Sequence, residues 1–292
     1  MKEYAMKCVG RIYILARWLL LAGVCGVVLG LVASVWPEHY GGDGVSAVSW
    51  MDALSSSGCR LVIVALYRLD PYKSDTNRVL EGIQSGTYVP LRMSPLIIIS
   101  TVLTHAFGGS AGREGAALQL GGSLGGTIGK WLKLDEYDQK VMIMCGMSAA
   151  FSALFGTPLT ATIFAMEVVS IGIMEYAALV PCAIASLIAR EMADLVGARA
   201  EQFPVPASVA LDIKSGALIV LLALLCAAVS ILFCEVLHRT ERLFKSRMKN
   251  PWIRVVVGAL LVIVLAKVLG TTDYLGAGMN IVERAIHGET EP

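Results

Sequence analysis

The apolar sequence of this chain is cut again and again at lengths too short to cross a bilayer, and this pattern restricts the fold more than any other feature. The apolar segments are Ile12–Val35, Leu61–Leu69, Pro95–Phe107, Leu118–Leu134, Val141–Phe155, Leu159–Ile173, Tyr176–Val196, Ala217–Leu237 and Ile253–Leu269. A spanning helix needs about 20 residues, and several of these fall short. Between Pro95 and Ile173 the joints are glycine-rich or contain proline. In a bilayer such breaks survive only where the backbone lines a cavity or is buried in protein. Broken helices meeting at mid-membrane are a transporter or channel feature.

Composition excludes a soluble globule. Of 292 residues, 56% are apolar and only 16% charged, too few to wrap a core in polar surface. The length allows roughly eight or nine hydrophobic passes or half-passes. Lys+Arg and Asp+Glu nearly cancel, 24 against 23, so no general basic field points to nucleic acid. The expected fold class is all-α, a polytopic membrane protein. Cys8, Cys25, Cys59, Cys145, Cys182, Cys226 and Cys234 lie mostly in apolar runs without metal-ligand spacing, and read as small buried hydrophobes.

Charge placement gives orientation. Arg239, Arg242, Lys245, Arg247, Lys249 and Arg254 face one acid, Glu241, in the stretch Arg239–Arg254, and the N-terminus carries Lys2, Lys7, Arg11 and Arg17. Both are predicted to be cytoplasmic. Anionic-lipid contact is a minor extra reading of the Arg239–Arg254 cluster. The loop Arg190–Lys214, with Glu191, Asp194, Glu201 and Asp212, is placed outside; one crossing, Ala217–Leu237, separates the two loops. The run Leu19–Val35 is long for a cleaved signal and reads as a first transmembrane helix.

Helices are predicted to restart at Ser94-Pro95 and Thr157-Pro158, where first-turn prolines follow capping hydroxyls, and at Asp135, Glu136 and Asp138, which load acid onto a helix start. Gly121/Gly125, Gly122/Gly126 and Gly125/Gly129 have the spacing that lets two helix backbones approach closely. The polar stretch 36–58 has no assigned fold.

One constellation carries chemistry. Gly108-Gly109-Ser110-Ala111-Gly112-Arg113-Glu114-Gly115 puts a carboxylate in a flexible turn that opens a helix, between two membrane-depth segments. An ionisable group there costs roughly 2.5 to 3.5 kcal/mol on insertion scales, and so points to function. A helix N-terminus offers unpaired N–H groups and about half a positive charge, an anion site that does not trap its ligand. Glu114 is then a tethered anion competing for that site; protonated, it swings aside and lets a permeant anion in. The alternative is structural: Glu114 pairs with Arg113 or caps the helix.

Gly112-Arg113-Glu114-Gly115, Gln119, Gly121-Gly122, the run Gly146–Phe155, Gly156-Thr157-Pro158-Leu159 and Ile163-Phe164-Ala165-Met166-Glu167 together resemble the CLC family of chloride channels and anion/proton antiporters. The wording from Leu103 to Gly115 is most similar to the bacterial fluoride-exporting branch. The resemblance implies broken, tilted helices in two inverted repeats, with 1–212 as the first repeat and 213–292 as the incomplete start of the second, so that the chain is expected to be truncated. It implies fluoride/proton antiport, with a chloride channel or chloride/proton exchanger as the alternative and a non-transporting fragment as a different-class alternative. It further implies a bacterial-type plasma membrane, a homodimer, and no enzyme activity, cofactor or metal. Glu114 matches the family's gating and proton-transfer glutamate, and Gly112, Arg113, Gly115 and Ala116 its anion-binding turn.

Departures from the family pattern are informative. Its Gly-Ser-Gly-Ile-Pro is absent, and the corresponding stretch is Ser74-Asp75-Thr76-Asn77-Arg78, where Thr76 and Asn77 could donate to the anion or Asp75 and Thr76 could simply cap a helix. Ala116 stands where chloride-type members have proline. The two adjacent acids of proton-coupled chloride members correspond to Glu167 and Val168, so Glu167 reads as a helix-end or packing acid. No Gly-x-Phe-x-Pro follows Lys214. A phosphate loop fails at Leu124 and Trp131, and a serine hydrolase built on His105 and Ser110 lacks an orienting acid.

Overall fold

The computed structural model describes residues 2–34, 61–65, 79, 90–106, 109, 112–168, 174–198, 212–271 and 279–287. Its helices are α1 (Lys2–Ser34), α2 (Met93–Ala106), α3 (Glu114–Trp131), α4 (Glu136–Phe155), α5 (Pro158–Glu167), a 3-10 turn (Tyr176–Ala178), α6 (Leu179–Val196), α7 (Ile213–Arg247), α8 (Pro251–Leu269) and α9 (Met279–His287). No strand occurs among the described residues, in keeping with the all-α expectation. The polar stretch 36–58 lies outside them.

Small residues decide the packing. At α3 against α4, a Cβ on Gly121 would overlap the carbonyl of Gly146, one on Gly125 would overlap the carbonyl of Met142, and Gly129 faces Gln139. These pairings run in opposite senses, so α3 and α4 are antiparallel with backbones in contact, as the glycine spacing predicts. Gly26 and Gly30 do the same for α1 against α6, where added Cβ atoms would stand 2.7 Å from the carbonyls of Ala185 and Ala189. Here the numbers rise together, so α1 and α6 are parallel.

α4 is the hub. Past its acidic first turn it carries one charged residue, Lys140, and Val141 through Ala150 are all buried. Its hydroxyls reach neighbouring backbone: Ser148 donates to the Cys182 carbonyl at 3.2 Å and Ser152 to the Ser186 carbonyl at 2.8 Å. Such interhelical bonds average about 0.6 kcal/mol in membranes. Arg17 pairs with Asp138 at 2.7 Å, so the start of α4 sits beside the first half of α1. With these pairings α1, α4 and α6 all run the same way.

The helix ends refine the sequence reading. Asp135 caps α4 by accepting from the Asp138 N–H at 2.8 Å, and Pro158 occupies the first turn of α5, both as expected. Thr157, however, makes no side-chain cap bond. Ser94 is no cap either: α2 begins at Met93, and the Ser94 hydroxyl donates to Ser123 Oγ at 2.9 Å instead. That hydroxyl pair ties α2 to α3, because Ser123 in turn donates to the Pro90 carbonyl at 3.0 Å. α4 and α6 stop at Gly156 and Gly197, whose φ of 69° and 88° suit glycine and allow the abrupt break.

α7 and α8 stand apart from this core. No residue of α7 is buried, and in α8 only Ala259 and Ala266 are. Both are long and apolar enough to cross a membrane. Cys25, Cys145 and Cys182 are buried free thiols at the α1–α4–α6 junction, whereas Cys226 and Cys234 on α7 are exposed, which corrects the reading of the cysteines as buried.

Candidate functional site

The glycine-rich turn closes α2 and opens α3. Thr104 in α2 spends its hydroxyl on the Ser100 carbonyl at 2.7 Å, and its own carbonyl accepts from the Gly109 N–H at 2.8 Å. Helix α3 begins earlier than its apolar run suggests, at Glu114 instead of Leu118. Its first helical bond runs from the Ala117 N–H to the Arg113 carbonyl at 2.9 Å. The N–H groups of Glu114, Gly115 and Ala116 therefore have no helical carbonyl ahead of them. Arg113, the N-cap residue, adds no side-chain cap bond.

Glu114 is exposed at this end, and its carboxylate has no hydrogen bond or ion pair among the described residues. Among the described residues it is bonded neither to Arg113 nor to the helix start. One glycine matters for the carboxylate. A Cβ on Gly112 would overlap Glu114 Oε2, so the folded-back position of this side chain exists only because residue 112 has none. Behind the turn the helix is anchored, with Ala116, Ala117, Leu118 and Leu120 buried.

Gly112, Arg113, Glu114, Gly115 and Ala116 thus share one turn. Ala116 keeps an N–H that proline would lack, adding a donor to the set. Thr76 and Asn77 lie outside the described residues, as do Gly108, Ser110 and Ala111. Glu167 is the exposed last residue of α5 and Val168 its C-cap, which fits the helix-end reading of that acid. The ion pair Arg17–Asp138 was not anticipated from sequence. Its signal is a cation, Arg17, embedded where α1 is otherwise apolar. Among the described residues no three His, Cys, Asp or Glu side chains gather closely enough to hold a metal ion.

An all-helical membrane protein with an exposed glutamate at the open start of a buried helix defines a narrow class, and comparison with known proteins gives its family. Residues 58–292 match the Voltage gated chloride channel family, and the chain belongs to it. Over 272 residues it is 29% identical to a chloride/fluoride channel protein of Pseudomonas syringae pv. tomato, covering 89% of this chain and 59% of that one. It therefore spans about three-fifths of that relative's length. The crystal structure of a CLC-type fluoride/proton antiporter superposes with a TM-score of 0.84 at 30% identity, over 96% of this chain and 72% of the other. A slow cyanobacterial Cl-/H+ antiporter shares the fold, with a TM-score of 0.68 at 18% identity over 85% and 63% of the two chains.

Proposed function

We propose that this chain supplies the gating half of a fluoride/proton antiporter, with Glu114 as the group that exchanges a proton for an anion. The observation that carries this reading is the exposed Glu114 carboxylate, without a partner among the described residues, on the open first turn of a helix whose body is buried. Ionised, the carboxylate competes with a permeant anion for the N–H groups of residues 114–116 and the positive end of α3. Protonated, it loses that attraction and turns away, and the anion enters. Each cycle then moves an anion one way and a proton the other.

Fluoride is small and strongly hydrated, so its site must offer close donors in place of water. The extra N–H of Ala116, with Thr76 and Asn77 as further donors, meets that need, and the relatives named for fluoride support it. Valine at 168 carries no proton, so the inward proton route differs from one that uses a second acid. In this reading 1–212 is the first repeat, 213–292 opens the second, the two repeats of one subunit enclose each pore, and the protein is a homodimer in a bacterial-type plasma membrane with the N-terminus cytoplasmic. The parallel run of α1, α4 and α6 supports that orientation, because it puts Val196 at the face opposite the N-terminus.

Parallel electrode recordings of fluoride and chloride efflux, from liposomes carrying this chain with a second repeat supplied by a full-length relative, test the selectivity. Faster fluoride efflux is expected. Faster chloride efflux would move the protein to the chloride channel or chloride/proton exchanger reading.

A further inference from the structure

The cationic end of α7 is too long for the bilayer and too poorly neutralised to be only an orientation signal. At about 1.5 Å per residue, its apolar stretch Ala217–Leu237 spans about 30 Å, the thickness of the hydrocarbon core. α7 nevertheless continues to Arg247. A headgroup layer adds only about 5 to 8 Å on each side, so Arg239 and Arg242 lie at headgroup depth and Lys245 to Lys249 just past it.

Two cations here are already matched. Arg239 pairs with Glu235 at 2.6 Å and Lys245 with Glu241 at 2.5 Å, each one helical turn apart. Arg254, at the start of α8, sits within electrostatic reach of Glu241. Arg242, Arg247 and Lys249 have no carboxylate in ion-pair contact among the described residues. The joint between α7 and α8 is short, Met248 to Asn250, and Asn250 caps α8 by accepting from the Trp252 N–H at 3.0 Å. Trp252 follows Lys249 by three residues in the sequence, a residue type that settles at the membrane–water boundary.

We propose that Arg242, Arg247 and Lys249, framed by Arg254 and Trp252, form a binding surface for anionic phospholipid headgroups. The lipid phosphate supplies the missing negative charge, and its acyl chains lie along the exposed apolar flank of α7. A free phosphate has no acyl chains and gains only the charge contact. The surface lies more than 120 residues beyond the glycine-rich turn, and it does not depend on the transport reading.

The test uses the full chain in a neutral detergent, titrated with phosphatidylglycerol, with phosphatidylcholine and inorganic phosphate as separate arms, and reads lipid retention by native mass spectrometry. Phosphatidylglycerol is expected to be retained selectively. The triple variant Arg242→Gln/Arg247→Gln/Lys249→Gln should weaken retention about 100-fold, at roughly fivefold per cation near a charged surface. Replacing both arginines and keeping charge, Arg242→Lys/Arg247→Lys, should preserve most of it. Equal retention of the two lipids, equal retention by the triple variant, or full competition by inorganic phosphate at matched concentration would each overturn the proposal. Circular dichroism of both variants checks that they remain helical, so that loss of retention is read only from folded protein.

Discussion

The α1–α6 core and the α7–α8 pair are built from similarly apolar sequence and end up in opposite environments. In the core, added Cβ atoms at Gly121, Gly125, Gly26 and Gly30 would strike a neighbouring backbone; at Gly216 in α7 and Gly258 in α8 they would meet nothing within 4 Å. No residue of α7 is buried, whereas α3 and α4, despite their glycines, serines and charged ends, are buried along most of their length. Apolar content therefore tells which segments avoid water, and the spacing of small residues tells which of them pack on protein. The first property puts a helix in the membrane. The second decides what it touches there.

Glycine substitutions break this comparison most sharply. Gly121→Leu should unfold or disperse the core, because a rigid backbone carbonyl cannot yield and overpacking alone costs about 1 to 3 kcal/mol even where side chains can move. Gly258→Ala should be neutral or stabilising by up to about 1 kcal/mol, the ordinary gain from replacing a helix-interior glycine. Denaturation of the two variants in one detergent gives the contrast. Equal effects would mean that α3 and α4 are not in backbone contact.

Next in size is the ion pair that joins α1 to α4. Asp138 is buried and Arg17 is 40% exposed at its side chain, so removing the arginine strands a carboxylate that solvent only partly reaches. Arg17→Ala should cost about 1 to 2 kcal/mol, below the loss for a fully buried pair. The double variant with Asp138→Asn should recover part of it, which a thermal-shift cycle would measure.

Gly112→Ala should act on the site and leave the fold alone. The atom that a new methyl group would strike is the mobile end of Glu114, so stability should change by less than about 0.5 kcal/mol while the carboxylate loses its folded-back position. Anion flux with altered proton coupling at an unchanged unfolding midpoint is the expected outcome. An unchanged coupling ratio would remove Gly112 from the gating turn.

The smallest expected effect lies at the exposed start of α7. Asp212 caps this helix by accepting from the Ser215 N–H at 2.8 Å, and the Ser215 hydroxyl and N–H hold its carboxyl below the usual value of 3.8. A carboxyl lowered in the folded state stabilises it above pH 3.8, and that contribution is lost as the pH falls through the lowered value. Asp212→Ala should fray the first turn of α7 above that pH and make no difference well below it. Hydrogen exchange at Ser215 and Gly216 across the two conditions would detect this.

Much of this was legible in the sequence because membrane constraints are strict. The apolar runs located the helices, Asp135 and Pro158 marked two starts, and Gly121/Gly125 foretold the closest crossing. The start of α3 was legible in the turn Gly108–Gly115, read as opening a helix, although its bulky apolar run begins only at Leu118. Ser94 looked like a cap because its hydroxyl precedes a proline; a partner 29 residues away, Ser123, uses that hydroxyl instead. The motif around Glu114 was readable as a candidate, but the role of Gly112 in making room for its carboxylate requires coordinates, since nothing in a sequence tells where a glutamate folds back.

The most direct test of the central claim is proton movement driven by a fluoride gradient, in liposomes carrying the completed pore with Glu114 or with Glu114→Gln. The amide permanently mimics the neutral carboxyl, so the variant should pass fluoride without moving protons, while the parent exchanges the two. Proton movement that persists unchanged in Glu114→Gln would contradict the account, because the proton would then cross by a group other than the one at the start of α3.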